Sequence, residues 1–133
     1  MNAGFGRRDA AFTLLEVLVA LAIFATVAAV VLTAAGRSLN NAARLEEVTF
    51  AGWIADNRLT ELQLTPSAPA IGRQDAELDY AGRRWALRSE VEETEEPGLL
   101  RVTVWVATLP AEAGVPIEER AVTQLTGFVE TGR

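Results

Sequence analysis

Cysteine, histidine and lysine are all missing from this chain of 133 residues. The first two absences together remove disulfides, thiolate nucleophiles, imidazole bases and most zinc or copper sites. They leave the compartment open, because an exported protein can do without disulfides. All twelve basic residues are arginine, set against eighteen acidic ones, so there is no basic footprint for nucleic acid. Proline is missing from Phe12 to Thr65, and nothing in that stretch obliges a helix to stop. With no evident base, nucleophile or phosphate loop, the sequence points away from an enzyme and implies neither a cofactor nor a metal. Its length suits one modest folded unit.

What is present is a long apolar run with one acid in it, "RDAAFTLLEVLVALAIFAT". From Val17 to Ala35 there is no charge, proline or glycine, and a helix of about 20 residues crosses a ~30 Å hydrocarbon core. A cleaved secretory signal is the nearest alternative: Arg7 and Arg8 precede the run, and Thr33 and Ala35 are small residues at a cleavage spacing. A buried helix of a soluble protein is disfavoured, because so small a domain could hardly enclose a helix that is apolar on every side. Arg7 and Arg8 at the near flank favour a cytoplasmic N-terminus, with the bulk of the chain across the membrane. Ala22, Thr26, Ala29, Thr33 and Gly36 make a stripe of small residues, compatible with close helix approach or simply with an alanine-rich chain.

Glu16 is the costly residue: a carboxylate at the centre of a span costs about 3 kcal/mol, less near the interface. Snorkelling to the interface is one account of it, and pairing with an amine about one helical turn away, at Phe12, is the other. The stretch "AFTLLEVLVALAIFA" resembles the N-terminal signal of type IV pilins and type II secretion pseudopilins. That resemblance implies cleavage between Ala11 and Phe12 by a prepilin peptidase, N-methylation of Phe12, and a role for Glu16 in assembly and register within a filament. Ala11 stands where the pattern usually has glycine.

Downstream, "NAARLEEVTFAGWIADNRLTELQL" resembles the helix of the minor pseudopilin I family, in Trp53, Ala55, Asp56, Asn57 and Leu59, and "GRRW" from Gly82 to Trp85 extends the likeness. The resemblance implies a pilin-like ladle that joins J-type and K-type minor pseudopilins at the tip of the pseudopilus. There it would prime growth of the filament from the major pseudopilin and support export of folded proteins. The inner-membrane secretion platform is a further implied partner. A minor pilin of a type IV pilus or competence system and a membrane-anchored binding module that never polymerises are the rival readings.

The residues independently suggest an α+β head. Leu45, Val48, Gly52, Ala55, Leu59 and Leu62 recur at three-four spacing, and Phe50, Trp53 and Ile54 widen that face. Leu45, Val48, Phe50, Trp53 and Leu59 are the expected partner-helix contacts. Period-two patterns predict strands over 76–80, 84–92 and 100–106, joined at "YAGR" and "EEPGL" as an antiparallel meander, with a fourth strand within 119–128. A sheet of under seventy residues is marginal alone, so the helix should form its second layer. The expected division is a cleaved leader over 1–11, a membrane segment over 12–35, an extracytoplasmic helix over 36–64, and a head over 65–133 sharing its core with residues 45–62. Glu90, Glu92, Glu93, Glu95 and Glu96 form the densest acidic cluster, read as a solvated hairpin tip in preference to a cation site. Trp105, opposite the valine stripe of its strand, is left open between a second packing layer and a partner contact.

Overall fold

A computed structural model describes residues 13–132. Its elements are helix α1 (Leu14–Leu64), strands β1 (Gly72–Tyr80), β2 (Arg83–Glu93) and β3 (Leu99–Thr108), the short helix α2 (Ile117–Arg120) and strand β4 (Thr123–Glu130). The chain divides into two compact units, one ending at Asn41 and the other beginning at Ala42.

The first unit is helical from Leu14 and opens on a cap. The Glu16 backbone N–H donates to Thr13 Oγ1 at 3.2 Å, which makes Thr13 the N-cap and Glu16 the third helical residue of a Thr-x-x-Glu capping pattern. Every large apolar side chain from Leu14 to Leu39 is exposed, the arrangement of a helix whose solvent is hydrocarbon. Within it, the hydroxyls of Thr26 and Thr33 donate to the carbonyls of Ala22 and Ala29 at 2.8 and 2.7 Å. The small-residue stripe therefore carries no unsatisfied hydroxyl donor.

In the second unit the four strands lie in the order β1-β2-β3-β4, each antiparallel to its neighbour. The first turn has two residues, Ala81 at φ 52° and Gly82 at φ 72°, the left-handed pair of a type I′ hairpin. The second carries Gly98 at φ 86° after Pro97. The three expected strands are present and each is longer than its pattern suggested; β1 begins four residues earlier, at Gly72. The fourth is displaced from 119–128 to Thr123–Glu130, because Ile117–Arg120 turns into α2 directly after Pro116.

One core joins α1 to the sheet. Ala51, Ile54, Ala55, Leu59 and Leu62 pack on Trp85, Leu87 and Val91 of β2, on Leu100, Val102, Val104 and Val106 of β3, and on Val129 of β4. Alternation along the strands sends these residues to one face. The helical stripe differs from the expected one. Ala51 and Ile54 are buried, whereas Leu45 and Val48 are exposed, because burial of α1 begins only where strands lie beneath it. The shared core thus starts at Phe50 and Ala51, not at Leu45. At Gly127 the sheet backbone meets the helix so closely that a Cβ would collide with the Leu59 side chain. Trp105 resolves to the second packing layer: it is partly buried against Ala86, Ala107 and Ile117 on the other face, under the 109–122 segment.

Candidate functional site

The second unit exposes more large apolar surface on α1 than its own core requires. Leu45 is 69% exposed and Trp53 57%. At about 100° per residue, Val48 and Trp53 lie roughly 140° apart around the axis. Val48 falls on the line of the buried stripe, between Ala55 and Leu59, and is exposed because it lies beyond the sheet; Phe50, Trp53 and Leu64 form a flank beside the stripe, and Leu45 stands about 80° from Trp53 on the exposed side. That flank is built by aromatics: Phe50 lies 5.8 Å from Trp53 between ring centroids, and 5.7 Å from Tyr80 in an edge-to-face arrangement. Such contacts hold large rings in place without burying them.

Leu59 departs from its expected role. It is 8% exposed, inside the core and against Gly127, so it serves the fold and cannot present itself to a partner. Leu45, Val48 and Trp53 are exposed and Phe50 is half-buried, so these four remain available as contacts. Val48 continues the buried stripe beyond the sheet, whereas Phe50 and Trp53 stand beside it. Glu16 sits in the first turn of α1, where a carboxylate complements the positive helix end. Ala11 and Phe12, the expected cleavage site, lie outside the described residues.

Charged groups on the sheet are organised by arginine. Arg88 Nε and Nη2 donate to the two carboxylate oxygens of Asp75 at 2.7 and 2.9 Å, and its Nη1 donates to Glu118 at 2.9 Å. The fork ties β1, β2 and α2 together. Hydrogen bonds from Arg88 hold the Asp75 and Glu118 carboxyls below the usual carboxylate range, and the same two partners raise the guanidinium further. Arg58 of α1 reaches Ser89, Glu61 and Gln74 at 3.1, 2.8 and 2.9 Å, locking helix to sheet. In the acidic cluster, Glu90 is taken by Arg73 and Glu92 by Arg101. No three carboxylates converge as a metal-holding group among the described residues. Sequence reasoning missed the Arg88 fork, since Asp75, Arg88 and Glu118 are far apart along the chain. It also missed the Thr13 cap, although Thr-x-x-Glu ahead of an apolar run is a readable signal.

Exposed apolar surface of this kind is characteristic of protein contact sites in general. A family model described as "Type II secretion system (T2SS), protein I" matches residues 45–130, and one described as "Prokaryotic N-terminal methylation motif" matches residues 6–32. The chain is 58% identical over 125 residues to the type II secretion system protein I of Pseudomonas aeruginosa, covering 92% of this chain and 96% of that protein. It is 41% identical to the protein of that name from Vibrio cholerae, over 73% of this chain and 81% of the relative. Among solved structures, a chain of the GspK-GspI-GspJ complex from the enterotoxigenic Escherichia coli type 2 secretion system matches with a TM-score of 0.52 at 28% identity. The match covers 65% of this chain and 96% of that one.

Proposed function

We propose, from the premise that this chain belongs to the protein I family of the type II secretion system, that it is a non-enzymatic subunit which caps and primes the secretion pseudopilus by contact alone. On this reading residues 1–11 are removed and Phe12 is methylated in the cytoplasm-facing segment. The apolar half of α1 holds the subunit in the inner membrane as a single pass, and the head stands in the periplasm. J-type and K-type pseudopilins join it there, the complex nucleates the major pseudopilin, and the growing filament supports export of folded proteins.

The observation that carries this reading is the apolar surface left exposed on α1, the aromatic flank of Phe50, Trp53 and Leu64 and, beyond the end of the sheet, Leu45 and Val48. Two such surfaces, set apart along the helix, suit a subunit held between two neighbours. Exposed aromatic and branched apolar side chains on a helix already anchored by its own sheet are suited to that use. The Escherichia coli complex, whose three named members include the I protein, supports the identity of the neighbours. The test is to coexpress the full-length chain with J-type and K-type pseudopilins and to reverse each surface in turn. Leu45→Glu and Trp53→Glu are each expected to cost recovery of one partner by at least tenfold while leaving the other bound. Retention of both partners by both variants would refute the two-surface assignment.

A further inference from the structure

One strand of the sheet lies outside the cover of α1. The helix packs over β2, β3 and β4, whereas β1 contributes to that core only the partly buried Leu78. β1 is an edge strand of nine residues with no proline, and its register to β2 runs without a bulge from Gly72 to Tyr80. Tyr80 and Arg83 flank the two-residue turn and therefore exchange ladder hydrogen bonds. Alternation then turns the N–H and C=O groups of Arg73, Asp75, Glu77 and Asp79 outward. A second contact sets the same phase. Leu109 N–H donates to the Arg84 carbonyl at 3.0 Å, so Arg84, opposite Asp79, directs its backbone to β3. Among the described residues no backbone hydrogen bond reaches the outward groups of β1.

Two features border this edge. On the α1 side a groove of about 640 Å3 opens between helix and strand, lined by Trp53, Ile54, Leu64, Leu78 and Tyr80 and, along the helix, by polar residues between Asp56 and Glu61. On the opposite face stand three acids, Asp75, Glu77 and Asp79, with side chains 64, 59 and 84% exposed. Arg88 neutralises Asp75 and Arg84 neutralises Glu77, but the nearest cation to Asp79 is Arg84 at 3.9 Å. Charged side chains commonly guard an edge strand. Here two of them are folded back onto β2 by its own arginines, which leaves the backbone approachable.

We propose that the open edge of β1 receives an extended segment of another protein. The segment adds a fifth strand, sets its alternate apolar side chains into the groove, and lays alternate basic side chains over the acids of β1. The edge supplies backbone pairing and the groove and acids supply selectivity, as in other strand-addition sites. A helix could fill the groove but would leave the edge unpaired. A second copy is a poor occupant, because its β4 edge, "TQLTGFVE", has no basic residue to answer the acids and its β1 edge would bring three acids against three. The strand edge is separate from the helix surfaces of the tip-complex reading, while the groove beside it shares Trp53 and Leu64 with the aromatic flank.

The experiment uses the full-length chain in detergent micelles and a capped nine-residue peptide alternating valine and arginine. The control is the same peptide with its central residue changed to proline, which keeps the charge and disrupts strand pairing. Amide hydrogen exchange is followed by NMR. The alternating peptide is expected to slow exchange at Arg73, Asp75, Glu77 and Asp79 at least tenfold, and the proline peptide is expected to leave them unchanged. Asp79→Arg, at a largely exposed position, should weaken binding several-fold, and Glu77→Pro should abolish the protection by removing one outward donor. Absence of slowing, slowing confined to α1 around Trp53, equal binding of the proline peptide, or protection of these amides without peptide through self-association would each overturn the proposal. Leu45→Glu, outside the groove, read on J-type and K-type recovery reports separately on the tip-complex reading.

Discussion

At Glu16 a local demand and an assembly demand coincide. Its backbone N–H is capped by Thr13, and its carboxylate adds charge complementary to the start of α1. Neither needs a second subunit, so the local role alone would tolerate glutamine better than the assembly role would. Glu16→Gln is therefore expected to leave membrane insertion intact and to lower recovery of the subunit in the sheared pseudopilus fraction. Unchanged recovery would remove the proposed register function. At Leu59 the pressure is packing. Leu59→Ala should cost about 2–5 kcal/mol, the range for emptying a buried leucine site, and Gly127→Ala about 1–3 kcal/mol by overpacking against it. Because the two residues touch, the double variant should cost clearly less than the sum of the singles in chemical denaturation. Strict additivity would mean the helix moves away instead. Leu59 was legible as apolar and on the right stripe, but which apolar residues face the sheet depends on where the sheet ends, and no local pattern encodes that.

Among the elements, strands were more legible than their boundaries. Trp85, Leu87, Ser89 and Val91 alternate with Arg84, Ala86, Arg88 and Glu90 because one face meets α1, and that alternation is visible in the sequence, although Ala86 is buried too, under Ile117. The displacement of β4 has a local cause in Pro116 and the one-turn α2 that follows. What joins α2 to the sheet is the Arg88 fork, assembled from three separate segments and invisible to any window of sequence. Its carboxylates have depressed folded-state pKa values. The stabilisation they contribute is accordingly present above the ordinary carboxylate range and is lost as pH falls below about 4. Thermal unfolding of the full-length chain in detergent should fall more steeply between pH 6 and pH 3 for the native chain than for Arg88→Met. Parallel pH profiles would show that the fork is not linked to folding.

At the scale of the whole molecule, the chain combines an apolar helical unit with a head that completes its own core and still exposes apolar surface. The apolar unit and the α+β class were readable because both rest on composition and period. The placing of the exposed apolar residues was not, since Val48 continues the buried stripe and Phe50 and Trp53 stand beside it, and only the packed sheet defines where burial begins. The methylation motif matches residues 6–32, and every later step of the proposed role depends on processing there. The most direct measurement is native mass spectrometry of the subunit, extracted in detergent from cells that also make a prepilin peptidase and J-type and K-type pseudopilins. The account predicts one complex containing both partners, in which this chain begins at a singly methylated Phe12. An unprocessed chain, a chain cut after Ala35, or a processed subunit that carries neither partner would contradict it.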